Sequence, residues 1–387
     1  MASNRLLVID DMPASSATIG RIARGCGYDT IITTDADDCR ARIQSWNPTV
    51  IVLDLNMPQM DGHQMMVWMA ERQCKARILI VSGREQELLN EAEQFGRGLG
   101  LNIAGSIQKP LRVDRLRTVF REIYIAAAIL SPQDLSKALA NSEIRLEYQP
   151  QIDMRSGIVI GFEALARWDH PLHGPIPPSV FIPDLEAHDI INDFTLHVLD
   201  LAMQDAREWQ DLNVRISINV SAANFSAMHI DEIVERKCAE TGIDIGRITI
   251  EVTESAAMAN TGQIANCLER LHHLGAQVSI DDFGTGFSSL VKLNELPCSE
   301  LKIDKSFVED CVSNHRSSIL VQAMIDLGHS LNKRVVAEGV DNERTMRQLD
   351  AWSCDIAQGF LISKSLPPAQ VQQWFDEYAS QIRDAWN

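Results

Sequence analysis

No two of the eight cysteines stand in a CxxC pair, which argues against both a zinc ligand set and a disulfide framework. Long hydrophobic runs are missing too. The longest, "IYIAAAIL" from Ile123 to Leu130, falls far short of the roughly 20 residues that span a bilayer. The opening "MASNRLLVID" has too short an apolar stretch for a signal peptide. Positive charge is scarce: 35 Lys and Arg face 53 Asp and Glu, a net charge of −18. Nonspecific nucleic-acid binding needs a basic footprint, so DNA is not an expected partner. These absences lead us to expect a cytoplasmic protein without membrane insertion. An acidic chain can still bind a phosphate compound if divalent cations or local Lys and Arg supply the positive charge.

What is present is an alternation of apolar and amphipathic segments, in two series. At 387 residues, two domains are the natural expectation. In residues 1–125, "RLLVID", "DTIIT", "TVIVLDL", "RILIVS" and "IAGSIQ" are continuous apolar runs separated by helical patterns. That pattern reads as a parallel sheet covered on both faces, a doubly wound α/β domain with its sites at the carboxyl ends of the strands. The sequence then turns helical as far as Ala140, broken at Ser131-Pro132, and residues 126–140 read as a helical linker. From residue 141 to 387 a second series of eight apolar segments with interleaved helices fits a TIM-type (β/α)8 barrel. Its first two strands are joined only by the "MRSG" turn around Gly157, too short for a crossover helix. One antiparallel strand is therefore expected.

Nearly every strand of the second series carries an acid, an amide or a lysine at its end. Glu163 closes the second strand, Asn219 the third, Glu251 and Glu254 the fourth, and Asp281 and Asp282 the fifth. Lys302 follows in the sixth, Glu338 in the seventh and Gln358 in the eighth. A single polar strand end is the bland expectation, because strand ends meet water. Seven in succession are not. Two adjacent ionised carboxylates repel by about 4 kcal/mol at 4 Å and an effective dielectric of 20, so this many acids on one face require cations. An oxygen-rich donor set without cysteine or an obvious histidine favours Mg²⁺ or Mn²⁺. Two such ions about 3.5–4 Å apart form a clamp suited to in-line attack at phosphorus.

The stretches "EALARW", "SINVS", "EVTES", "DDFGTGFSSL", "LKIDKSFV", "VAEGV" and "AQGF" resemble, in order and spacing, the signatures of the EAL family of cyclic-di-GMP phosphodiesterases. The resemblance implies hydrolysis of cyclic di-GMP to linear pGpG. Carried over position by position, it makes Glu163, Asn219, Glu251 and Asp281 metal ligands and Asp282 the ligand of a second ion. Lys302 would position and activate the attacking water, with Glu338 and Gln358 in the same network. Glu254 would hold the loop Phe283 to Ser288. Gln149, Leu165, Arg167 and Gln358 would face substrate, Arg167 through a phosphate. Calcium, which prefers more ligands at longer distances, should inhibit.

In the first domain Asp10-Asp11, Asp54, Ser82 and Lys109 fall at the carboxyl edge of the sheet, and "LDLNMPQMDG" resembles the phosphorylation-site signature of response-regulator receiver domains. The resemblance implies that Asp54 accepts a phosphoryl group from a sensor histidine kinase. Asp10 and Asp11 would help hold one Mg²⁺, and Ser82 and Lys109 would contact the phosphoryl oxygens. Ser106 departs from the family pattern, standing near the position where many receivers carry an aromatic residue. A receiver that only dimerises stays open, as does a barrel that senses the nucleotide without cleaving it, or one that serves as a scaffold. Homo-oligomers are common in both families, so self-association is expected. His170, His173, His272, His273 and the cysteines read as surface or packing residues.

Overall fold

Five apolar runs form the first sheet, the edge pair less buried than the rest: β1 (Arg5–Ile9), β2 (Asp29–Thr33), β3 (Val50–Asp54), β4 (Arg77–Ser82) and β5 (Asn102–Gln108). All neighbours are parallel, in the order β2-β1-β3-β4-β5. Parallel neighbours demand crossover connections, and helices supply them. Alternate side chains feed separate cores on the two faces, one around Leu7, Ile51, Met66 and Ile80, the other around Leu6, Val8, Val52 and Phe120. This is the doubly wound arrangement expected of the first domain.

The computed structural model describes residues 4–57, 60–83, 86–129, 132–258, 262–285 and 290–386. The chain divides into two compact units, residues 1–131 and 132–387. The stretch read as a linker holds the end of helix Val113–Ile129 and a helix Pro132–Ala140. That second helix lies in the second unit, where it packs on helix Ile191–Glu208 and buries Leu135 and Ala138.

The second unit is a closed barrel of β6 (Ile144–Asp153), β7 (Val159–His170), β8 (Arg215–Asn219), β9 (Ile248–Thr253), β10 (Gln277–Phe283), β11 (Glu300–Ile303), β12 (Arg334–Ala337) and β13 (Ile356–Ala357). Each strand pairs with the next, and β13 closes on β6. From β7 to β13 all pairs are parallel, whereas β6 is antiparallel to both neighbours. The expected exception is thus the first strand.

One boundary differs from expectation. Glu163 was read as closing its strand, but β7 runs on to His170. Its pairing with β8 stops at Ala164. Beyond that point β7 keeps hydrogen bonding to β6 on one side and to a short strand, Gly174–Ile176, on the other. Glu163 therefore marks the rim of the barrel and the middle of its strand. Among the described residues no helix is long and apolar enough to cross a membrane.

Candidate active site

Lys302 comes from the middle of β11 and is fully buried, an arrangement that is tolerable only with close counter-charges. Its Nζ lies 2.6 Å from Glu338 Oε1, 2.8 Å from Glu251 Oε2, 3.3 Å from Asp281 Oδ1 and 3.5 Å from Glu163 Oε2. Four strands thus deliver carboxylates to one ammonium. Glu163 is held from both sides: Asn219 Nδ2 donates to Oε1 at 2.9 Å and Gln358 Nε2 to Oε2 at 2.5 Å. Gln358 is fixed in turn by Gln151 Nε2, which donates to its Oε1 at 2.9 Å.

The charges are unequal in environment. Burial pushes the carboxyls of Glu163, Glu251, Asp282 and Glu338 up. For Glu163 the Lys302 ammonium and the amides of Gln358 and Asn219 outweigh it, and the group ends below the usual carboxylate range. Glu251 is driven well up, by burial first and then by the charges of Glu163 and Asp281, despite Lys302. Burial and the neighbouring acids take Glu338 to about 8 and Asp282 to about 6. Burial alone would lower Lys302, but the surrounding carboxylates raise it far above its ordinary value, so it stays protonated. Among the described residues Glu251 Oε1 and Asp281 Oδ1 are buried without a hydrogen-bond partner, the latter near Lys302 but outside hydrogen-bonding geometry.

Asp281 and Asp282 are separated by backbone conformation. Asp282 has φ 56, in the left-handed region, and the register with β11 shifts between Ile280 and Phe283. The kink aims consecutive side chains differently, as a bulge does. Glu254, buried at the start of the turn after β9, accepts a hydrogen bond from Gly284 N at 2.8 Å and so ties down the start of the following loop. Residues 286–288 of that loop, Gly286 among them, lie outside the described residues.

Sequence reasoning missed Asp304. It follows β11 two positions after Lys302, and its charge helps raise Asp282. Its Oδ1 accepts from Ser306 N at 3.0 Å, capping helix Lys305–Val308. The signal was another acid at a strand end, obscured because Lys302 had already been assigned to that strand.

Of the residues expected to face substrate, Gln149 lies on β6, Leu165 and Arg167 lie on β7, and Gln358 directly follows β13. Gln149 Oε1 accepts from Gln358 Nε2 at 3.2 Å, and its own Nε2 donates to the Ser363 carbonyl at 3.2 Å. Leu165 is half-buried and pairs across the sheet with Glu147. Arg167 Nε donates to Glu147 Oε2 at 2.9 Å and Nη2 to Ser365 Oγ at 3.0 Å.

In the first unit Asp10, Asp11 and Asp54 bring carboxylate oxygens within 4.8 Å of one another. Lys109 Nζ bridges two of them, 2.9 Å from Asp10 Oδ2 and 2.7 Å from Asp54 Oδ2. Burial alone would lower this lysine, but the two aspartates raise it. Asp11 Oδ1 is buried without a partner among the described residues, as is the Ser106 hydroxyl. Ser82 is buried at the end of β4, and its carbonyl accepts from Lys109 N at 2.8 Å.

Residues 132–365 match the EAL domain family, and residues 6–121 match the response regulator receiver domain family. The oxygen sensor protein DosP of Escherichia coli is 40% identical over 243 residues, 62% of this chain and 30% of that protein. Cyclic di-GMP phosphodiesterase PA2567 of Pseudomonas aeruginosa is 35% identical over 243 residues, 62% of this chain and 41% of that protein. The chain therefore spans well under half the length of these relatives. A solved structure of the PaMucR phosphodiesterase in complex with c-di-GMP is 38% identical, with a TM-score of 0.60, and covers 62% of this chain and 98% of that one. The chain belongs to the EAL domain family, its barrel preceded in sequence by a response regulator receiver domain.

Proposed function

We propose that the barrel hydrolyses cyclic di-GMP to linear pGpG with two divalent cations, Mg²⁺ or Mn²⁺, and that the receiver modulates this activity. The observation that carries the reading is the group of buried acids around Lys302, two of whose oxygens, Glu251 Oε1 and Asp281 Oδ1, have no hydrogen-bond partner among the described residues. Four carboxylates, Glu163, Glu251, Asp281 and Glu338, share one ammonium, Asp282 lies within its field, and three of these five acids are pushed toward the protonated form. Such a site holds either protons or cations, and its donors, oxygens from carboxylates and an amide, suit hard divalent ions. Glu163, Asn219, Glu251 and Asp281 would hold one ion and Asp282 the other. Bound there, such ions supply positive charge against the phosphodiester and make water more acidic.

The chain's own residues perform the remaining tasks. Lys302, held among these carboxylates, positions the attacking water. Arg167 presents guanidinium protons to a phosphate oxygen. Gln149 and Gln358 line the wall between them, and Glu254 keeps the loop after Asp282 in place. The likeness to cyclic di-GMP phosphodiesterase PA2567 of Pseudomonas aeruginosa supports the substrate. In the receiver Asp10 and Asp11 would hold one Mg²⁺, Asp54 would take a phosphoryl group from a histidine kinase, and Ser82 and Lys109 would meet its oxygens.

The test is incubation with cyclic di-GMP and Mg²⁺ or Mn²⁺, with separation of products. Linear pGpG is expected, and it should vanish in Glu163→Ala while the circular dichroism of the protein is unchanged. Calcium should support binding but little turnover. Binding without product in any metal would leave a nucleotide receptor.

A further inference from the structure

We infer that Glu147, assisted by Ser365, is a positioning residue that fixes Arg167 for its phosphate contact; the inference rests on the proposed phosphodiesterase reading. The reasoning begins with strand register. Arg145 of β6 stands directly opposite Arg167 of β7, and like charges placed opposite one another across an antiparallel pair repel. Glu147, two residues along β6 on the same face, sits diagonally between them. Its two oxygens divide the work. Oε1 accepts from Arg145 Nη1 at 2.8 Å, and Oε2 accepts from Arg167 Nε at 2.9 Å.

Ser365 closes the arrangement. Its hydroxyl donates to Glu147 Oε2 at 2.6 Å and accepts from Arg167 Nη2 at 3.0 Å, while Arg167 Nη1 donates to the Ala166 carbonyl at 3.0 Å. A guanidinium has five N–H groups. Three are committed here, leaving one on Nη1 and one on Nη2 without an acceptor among the described residues. Those two are what a phosphate oxygen can take without breaking any existing bond. Arg145 is kept away from that role by Asp169, whose Oδ2 accepts from its Nε at 2.5 Å. Glu147 is mostly buried, and its hydrogen bonds hold its pKa below the usual range even though burial opposes them. It is therefore charged wherever the protein is folded near neutrality. An arginine already held in place loses less freedom on binding substrate, and affinity gains from that loss having been met in advance.

The experiment is a double-mutant cycle on the full chain, reading KM and kcat for cyclic di-GMP and equilibrium binding of the nucleotide in calcium. Glu147→Ala should raise KM about five- to tenfold, with kcat changed far less, since one long side chain is freed. Glu147→Gln, which retains the acceptor for Arg167 Nε, should recover part of the loss, and Ser365→Ala should show a smaller effect in the same direction. In an Arg167→Ala background the Glu147→Ala change should cost little more. An equal loss in both backgrounds, or a KM unmoved by Glu147→Ala, would overturn the inference while leaving the phosphodiesterase reading intact. A wild-type protein that neither binds nor cleaves the nucleotide would overturn both.

Discussion

At the scale of single residues, the dominant fact is that one lysine is asked to neutralise more charge than it carries. The pKa directions give that imbalance a pH signature. Asp282 at about 6 and Glu338 at about 8 lie above their unfolded values, so at these two groups the ion-free folded state binds more protons than the unfolded chain between roughly pH 4 and 8. Stability contributed by these groups is complete below their unfolded pKa and is lost as pH rises through the folded one. We predict that the melting temperature of metal-free protein falls from pH 6 to pH 8.5, and that added Mg²⁺ restores more at pH 8.5 than at pH 6. Thermal melts at the two pH values check this; a magnesium effect independent of pH would contradict it. The residue types of this cluster were legible in the sequence, because chemistry-bearing side chains stood at consecutive strand ends. The inequality among them was not, since it arises from burial and from partners such as Gln151 and Asp304 that the spacing did not single out.

At the scale of elements, the strand ends decide what the side chains can do. Gly284 follows Asp282 and Phe283 with φ 101, and a Cβ there would meet Met324 Cε at 2.3 Å and Phe307 Cε2 at 3.2 Å. Gly284→Ala combines that clash with a strained backbone and displaces the N–H that Glu254 accepts. The expected cost is about 1–3 kcal/mol of stability together with a fall in turnover, read by chemical denaturation and product formation. A variant with unchanged stability would mean the loop adapts freely. The eight strands and the presence of one antiparallel strand were legible from apolar runs and one short turn; that it is the first strand was not. The extension of β7 past Glu163 was not legible either, because "LARWDH" pairs on one side with the long β6 and at its end with the short strand Gly174–Ile176, partners that periodicity alone does not reveal.

At the scale of the whole molecule, two sites of similar chemistry occupy one chain: each gathers carboxylates at the carboxyl edge of parallel strands and sets a lysine among them. Phosphorylation of Asp54 would add about −1.5 to −2 charges beside Lys109, which now divides itself between Asp10 and Asp54. We predict that acetyl phosphate or a beryllium fluoride mimic changes cyclic-di-GMP turnover in the wild type but not in Asp54→Asn. Equal rates at stoichiometric modification would remove the regulatory proposal. Self-association is also testable. Val291, on helix Leu290–Glu295, is 68% exposed, and Val291→Asp should shift the sedimentation of the protein toward monomer if that helix pairs with a second copy. An unchanged sedimentation coefficient would place any self-association elsewhere.

The reversed first strand has a mechanical corollary. Because β6 runs against its neighbours, Ile144 lies at the level of Trp168, beyond Glu163, and the polypeptide enters the barrel at the rim that carries the acidic cluster. A pull or twist travelling along the backbone from helix Pro132–Ala140 reaches Glu147 within the first four residues of β6. The proposed grip on Arg167 thus lies at the entrance of the barrel, where such a force arrives early.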